Sequence, residues 1–164
     1  MKLHRTVTLA AALSVALHTL PAHADAKSDI ARGAYLVNGW GCADCHMPLK
    51  MGPKGPEPDV SRGMSGHPAG LALPPPPAPQ GPWIWGGAAN LTPDAQTGLG
   101  PWTADQFVSA MKTGKHAGNS RPILPPMPWQ AMSHLTESDL RAMFAYLTSQ
   151  PAVRNDVPAP QTPR

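Results

Sequence analysis

The sequence predicts an all-α domain. Three segments carry apolar residues at helical spacing between start and stop signals, and no βαβ pattern is present. A third observation is the run Cys42-Ala43-Asp44-Cys45-His46, placed directly after the first helical segment and containing the only two cysteines of the chain.

The first helix is expected over 28–38, with Ile30, Tyr35, Leu36 and Val37 as its apolar residues. Ser28 is its expected cap, and Gly39 or Gly41 its end. Gly33 costs about 1 kcal/mol against Ala inside a helix, so its presence predicts close approach of another helix. The second helix starts at Thr103, where Thr103-x-x-Gln106 reads as a capping box. Phe107, Ala110 and Met111 then share one face, and Gly114 closes the segment. The third starts at Thr136 with Asp139 in its first turn, repeats Leu140, Met143, Phe144 and Leu147, and stops before Pro151. Ala142, Ala145 and Tyr146 flank that stripe, where the first helix is expected to pack.

Residues 1–24 have the features of a secretory signal. Lys2, His4 and Arg5 form a basic start, 7–20 an apolar stretch, and Ala22-His23-Ala24 an A-x-A cleavage site. The stretch is short for a membrane span, which needs about 20 residues. An exported, periplasmic chain with no membrane span after cleavage is expected, and no cysteine follows the site for lipid attachment. Residues 25–150 form the expected domain. Within it, 47–89 is a Pro/Gly-rich insertion in which a ten-residue strand or helix can hardly form. The prolines at 74–77 favour polyproline II. Either an ordered loop over the cofactor edge or a disordered insertion fits, and Trp83 and Trp85 favour order because indoles are costly to leave in water. The Pro-rich tail, 151–164, is expected as an extended strap or a frayed end.

Charge excludes one partner class. The formal net charge is +3, but Lys2 and Arg5 leave with the signal, so 11 basic side chains then face 10 acidic ones. No basic stripe for nucleic acid is present.

Two thiols three positions apart and an adjoining imidazole suit covalent haem attachment, with Cys42 and Cys45 forming thioethers and His46 ligating the iron. Structural zinc would need two further ligands, which no Cys pair or H-x₃₋₅-H run supplies. A redox C-x-x-C would be expected near a βαβ pattern. One covalently bound haem c is the expected cofactor.

The sixth iron ligand decides between electron transfer and an open iron site. The other histidines after residue 24 are His67, His116 and His134; the methionines are Met47, Met51, Met64, Met111, Met127, Met132 and Met143. Met127, in Pro125-Pro126-Met127-Pro128-Trp129, is 81 residues after His46 and just before the last helix. Flanking prolines restrict the backbone and reduce the entropy lost when the thioether is held. Met132 is the main rival; Met111 and Met143 have core spacing, and Met47 abuts His46 and cannot readily cross the ring. His67, in the insertion, is a lesser rival, since a loop histidine is more often simply solvated.

These residues resemble the class I c-type cytochromes. The lead-in Arg32-Gly33-Ala34-Tyr35-Leu36-Val37 before Cys42 is similar to theirs, and the likeness covers most of residues 28–150. The resemblance implies a helical fold in which the N- and C-terminal helices cross near a glycine. It also implies three main helices around the haem and a loop methionine as the second ligand. Asn90-Leu91-Thr92-Pro93-Asp94, Thr97-Gly98-Leu99-Gly100 and Trp102 resemble a segment of cytochrome subunits of periplasmic dehydrogenases. Such subunits often carry several haems, whereas one C-x-x-C-H stands here.

The leading expectation is a monohaem carrier of single electrons with His46 and Met127 on the iron, either a soluble carrier or a dehydrogenase subunit. Its redox partners would be a periplasmic dehydrogenase, a quinol-oxidising complex or a terminal oxidase. Met ligation favours the ferrous state and a high potential. Trp83, Trp85, Trp102, Trp129 and Arg121 are candidates for the haem propionates. Alternatives are a five-coordinate haem c sensor or enzyme with an open iron site, and an interaction module that uses its Pro-rich insertion.

Overall fold

The computed structural model describes residues 25–67, 87–117 and 121–158. Five α-helices, one 3₁₀ turn and one short hairpin are found among them: α1 (Ala26–Gly39), α2 (Cys42–His46), β1 (Leu49–Gly52), β2 (Gly55–Pro58), the 3₁₀ turn Val60–Arg62, α3 (Ala104–Thr113), α4 (Trp129–Met132) and α5 (Glu137–Thr148). The signal-like residues 1–24 and the prolines 74–77 with Trp83 and Trp85 lie outside the described residues, as do 159–164. No helix among the described residues is long and apolar enough to cross a membrane.

Helix α1 starts earlier than expected. Asp25, not Ser28, is its cap: the carboxylate accepts from the Lys27 amide at 3.2 Å. Asp is as good a cap as Ser, and the earlier of two competent residues adds three residues of helix, just under one turn. Gly41, at φ 65°, then turns the chain into α2, a left-handed conformation that an L side chain rarely adopts. Tyr35 departs from its expected role. It stands 70% exposed, about 200° around the helix from both Gly33 and Val37, with the Arg32 guanidinium 5.5 Å from its ring centre.

The buried face of α1, formed by Gly33, Leu36 and Val37, packs on Leu140, Met143 and Leu147 of α5. Gly33 lies against the Ala142 backbone, and a Cβ there would come within 2.6 Å of the Ala142 carbonyl carbon and 2.7 Å of Tyr146 Cβ. Arg32 Nε donates to Asp139 at 2.9 Å and pins the same crossing at its rim.

Helix α3 has both halves of the predicted capping box. Thr103 Oγ1 accepts from the Gln106 amide at 3.2 Å, and Gln106 Oε1 accepts from the Thr103 amide at 2.9 Å. Its C-cap Gly114 sits at φ 68°. Phe107 meets Phe144 of α5 at 5.6 Å between ring centres, joining the two helices. Thr136 caps α5 through the Asp139 amide, as expected.

The early part of the 47–89 segment is ordered, but with strands of only four residues. β1 and β2 pair antiparallel with Leu49 opposite Pro58 and Gly52 opposite Gly55. The tail through residue 158 forms a strap. Val153 O accepts from Asn90 Nδ2 at 2.8 Å, and the Asn155 amide N–H reaches Thr97 Oγ1 at 3.1 Å. Asn155 is 6% exposed; its Nδ2 donates to the carbonyls of Ser65 (2.7 Å) and Gly66 (3.0 Å), while Arg62 donates to its Oδ1 at 2.9 Å.

Candidate haem-binding site

The α1–α2 turn sets the start of the site. Gly41 turns the chain so that α2 carries Cys42, Cys45 and His46 in succession. Cys42 leans on the apolar core, and burial pushes its thiol pKa up; Cys45 is exposed. His46 is 7% exposed, and burial, the dominant cause, holds its imidazole pKa below the ordinary value. The ring is therefore neutral near pH 7, as a metal ligand must be. Its Nδ1 donates to the Ala89 carbonyl at 2.7 Å, which fixes the tautomer and leaves the Nε2 lone pair available to a metal.

The position of Ala89 is set by the loop that follows it. Asn90 Oδ1 accepts from the amide (2.9 Å) and hydroxyl (2.8 Å) of Thr92. Asp94 Oδ1 collects the amides of Gln96 and Thr97 and the Thr97 hydroxyl, at 3.1, 2.7 and 2.7 Å. The Thr97 side chain is the main reason its carboxyl is held below the usual range. Asn90-Leu91-Thr92-Pro93-Asp94 is thus a self-bonded loop directly after the backbone acceptor of His46.

Cys45 and His46 line a cavity of about 760 Å³ whose exposed surface is mostly apolar. Met127 lines the same cavity from the Pro-rich loop before α4; its amide donates to Leu124 O and its carbonyl accepts from Trp129 N. The His46 imidazole, the Met127 thioether and the Cys45 thiol around an apolar cavity, with Cys42 three residues before Cys45 on α2, are the donor set that haem c takes, so the residues present fit that group. The remaining zinc ligands are not found: no group of three or more His, Cys, Asp or Glu forms among the described residues.

The family model for cytochrome c matches residues 30–151. The chain belongs to the cytochrome c family. As a class I c-type cytochrome its role is electron transfer, and haem c is its cofactor. The cytochrome c subunit of the quinone alcohol dehydrogenase of Gluconobacter oxydans is 36% identical over 128 residues, 76% of this chain and 24% of that one. The fructose dehydrogenase cytochrome subunit of Gluconobacter japonicus is 30% identical over 161 residues, 96% and 29% of the two chains. A nicotinate dehydrogenase subunit from Pseudomonas putida is 36% identical over 74 residues, 45% and 6%. This cytochrome therefore spans less than a third of the length of each of these relatives.

Of the methionines considered for the iron, Met111 and Met127 line the cavity. Met111 also belongs to the core, as its spacing predicts, and Met132 and Met143 are buried in that core. Met51 is 68% exposed on β1. Of the propionate candidates, Trp102 and Arg121 line the cavity, whereas Trp129 packs against Gly114. His116 stands between them, 6.2 Å from the Trp102 ring and 3.0 Å from Arg121 Nη2, with its pKa lowered first by burial and then by Arg121.

His67 corrects an expectation. It is 4% exposed on the cavity wall instead of solvated. The Ala89 carbonyl and Asn155 were also missed. A backbone acceptor leaves no trace in residue type, although the Asn90–Asp94 motif marks the loop that holds it. Nothing local in the tail singles out Asn155.

Proposed function

We propose that this cytochrome is an exported one-electron carrier that holds a single haem c through Cys42 and Cys45, with His46 and Met127 as iron ligands. The observation that carries the reading is that His46, oriented by the Ala89 carbonyl, and Met127, from a proline-restricted loop, line one largely apolar cavity. When bound, the haem supplies a ferric/ferrous couple.

The chain's own residues would set its behaviour. The Ala89 acceptor raises the donor strength of His46 and stops the ring from rotating. The Met127 thioether favours the ferrous state and occupies the position that a small molecule would take. Leu91, Leu99, Phe107 and Ile123 on the cavity wall exclude water, so little solvent reorganises when the charge changes. Residues 1–24 would direct export, and the domain would act over 25–150 with the 151–158 strap closing it.

The upstream partner would be a dehydrogenase. The support is that the relatives quoted above are dehydrogenase subunits and that segment 90–102, which resembles one of such subunits, directly follows Ala89, the acceptor that orients His46.

The test is the optical spectrum of the ferric protein, wild type beside Met127→Ala. A weak iron–thioether charge-transfer band present in the wild type and absent from the variant supports the reading. A wild-type protein that is high-spin and binds carbon monoxide rapidly when reduced would replace it with the open-site reading.

A further inference from the structure

We propose that His67 donates a hydrogen bond to a haem propionate and is thereby a positioning residue for the haem. The inference rests on haem c occupying the cavity, as read above. His67 is 4% exposed and lines the same cavity as His46 and Met127, yet neither ring nitrogen has a partner among the described residues. A buried donor or acceptor without a partner loses its hydration for nothing in return, so such a group calls for a partner that the described residues do not supply.

The backbone holds this imidazole in place at several points. The Gly66 amide donates to the His46 carbonyl at 2.8 Å, and the His67 amide donates to the Ala88 carbonyl at 3.2 Å. Gly66 sits at φ 78°, where a Cβ would come within 2.8 Å of the Ala89 carbonyl carbon. From behind, Asn155 grips the carbonyls of Ser65 and Gly66.

The same bonds decide which part of the haem His67 meets. Haem offers three polar features, the iron and two carboxylates; the rest is hydrocarbon. Residues 66–67 are laced to His46 and to Ala88, next to the acceptor of the His46 ring, so His67 belongs to the wall of His46. With His46 as an iron ligand from that wall, a second ligand would come from another part of the cavity. The carboxylate remains. An imidazole always has an N–H to give, and a bond to an ionised acceptor is about twice as strong as a neutral one. By spreading the carboxylate's charge the bond weakens its stabilisation of ferric iron, so ferrous iron gains.

The experiment is a potentiometric titration of the holoprotein as wild type, His67→Leu and His67→Gln. His67→Leu is expected to raise the ferric-to-ferrous ratio at a fixed potential about threefold, a fall of about 30 mV at 59 mV per tenfold for one electron. His67→Gln keeps an N–H donor and is expected to recover most of that shift. A second measurement needs no variant: in the reduced wild type, magnetisation transfer is expected between His67 ring protons and a propionate methylene. An unmoved midpoint in His67→Leu, an equal shift in both variants, or absence of that transfer in haem-loaded protein overturns the proposal and leaves the haem reading intact. Loss of the axial-ligand spectrum in His67→Leu overturns it in favour of iron ligation. Wild-type protein whose mass shows no covalent haem overturns both.

Discussion

Substituting Gly33 by Ala places one methyl group where α1 and α5 touch backbone to backbone. That Cβ would overlap the Ala142 carbonyl oxygen and fall 2.6 Å from its carbon and 2.7 Å from Tyr146 Cβ. Carbon atoms rest at about 3.5–4.0 Å, so the helices must part by roughly 1 Å. A gap of that size forfeits a quarter to a half of the dispersion energy of each contact across the crossing. Overpacking costs about 1–3 kcal/mol, and the upper end applies because a carbonyl cannot change rotamer to escape. Alanine's helix propensity returns about 1 kcal/mol. The net destabilisation is about 2 kcal/mol, a fall in Tm of roughly 8 °C. Gly39→Ala is the control: nothing lies within 4 Å of a Cβ there, so only propensity acts and stability is unchanged or slightly raised. Urea denaturation of the holoprotein followed by far-ultraviolet circular dichroism measures both. Equal stability of the two variants would refute the close-approach argument.

Asn155→Ala removes three hydrogen bonds and leaves the Ser65 and Gly66 carbonyls unpaired. A loss of about 2–3 kcal/mol is expected, with faster amide hydrogen exchange at Gly66 and His67 than at α5. Thr103→Ala removes the α3 cap for about 1 kcal/mol, and Thr103→Ser restores most of it; chemical denaturation compares the three. The Arg32 hydrogen bond, followed by desolvation acting the other way, leaves the Asp139 carboxyl below its ordinary pKa. Its contribution to stability is therefore complete above the unfolded aspartate value of about 3.9 and is lost as pH falls through that value toward the folded one. Asp139→Asn should accordingly flatten the stability–pH curve below about pH 5; an unchanged acid limb would mean that this ion pair contributes nothing.

The long helices α1, α3 and α5 were legible because each is written in contiguous residues, whereas the short α2 and α4 carry no such pattern. The Thr103–Gln106 box, the Thr136 cap and the Leu140, Met143, Leu147 stripe require no knowledge of the rest of the chain. Gly33 was legible for a related reason, since a costly residue in a helix points to a neighbour. The start of α1 was misjudged because two competent caps stand three residues apart, and local signals do not rank them. Tyr35 was misplaced by its apolar ring, whereas helical phase puts it outward. His67 could not be read as buried, because its environment is assembled from His46, Ala88 and Asn155, up to 88 residues away in sequence. The cysteine–histidine run marks the site chemically, but the Ala89 carbonyl that orients the ring is one of many identical backbone groups.

The strap from 151 to 158 has a consequence for the order in which the protein is made. Cys42, Cys45 and His46 leave the ribosome, and cross a membrane in an N-terminus-first export, more than a hundred residues before Asn155. Until Asn155 arrives, the Ser65 and Gly66 carbonyls lack their shared donor and the wall behind His46 is unfastened. Closing so long a loop is entropically costly and therefore comes late. With haem held covalently as proposed, the nascent chain would present an accessible C-x-x-C-H first, and the strap would then close over a cofactor that is already bonded.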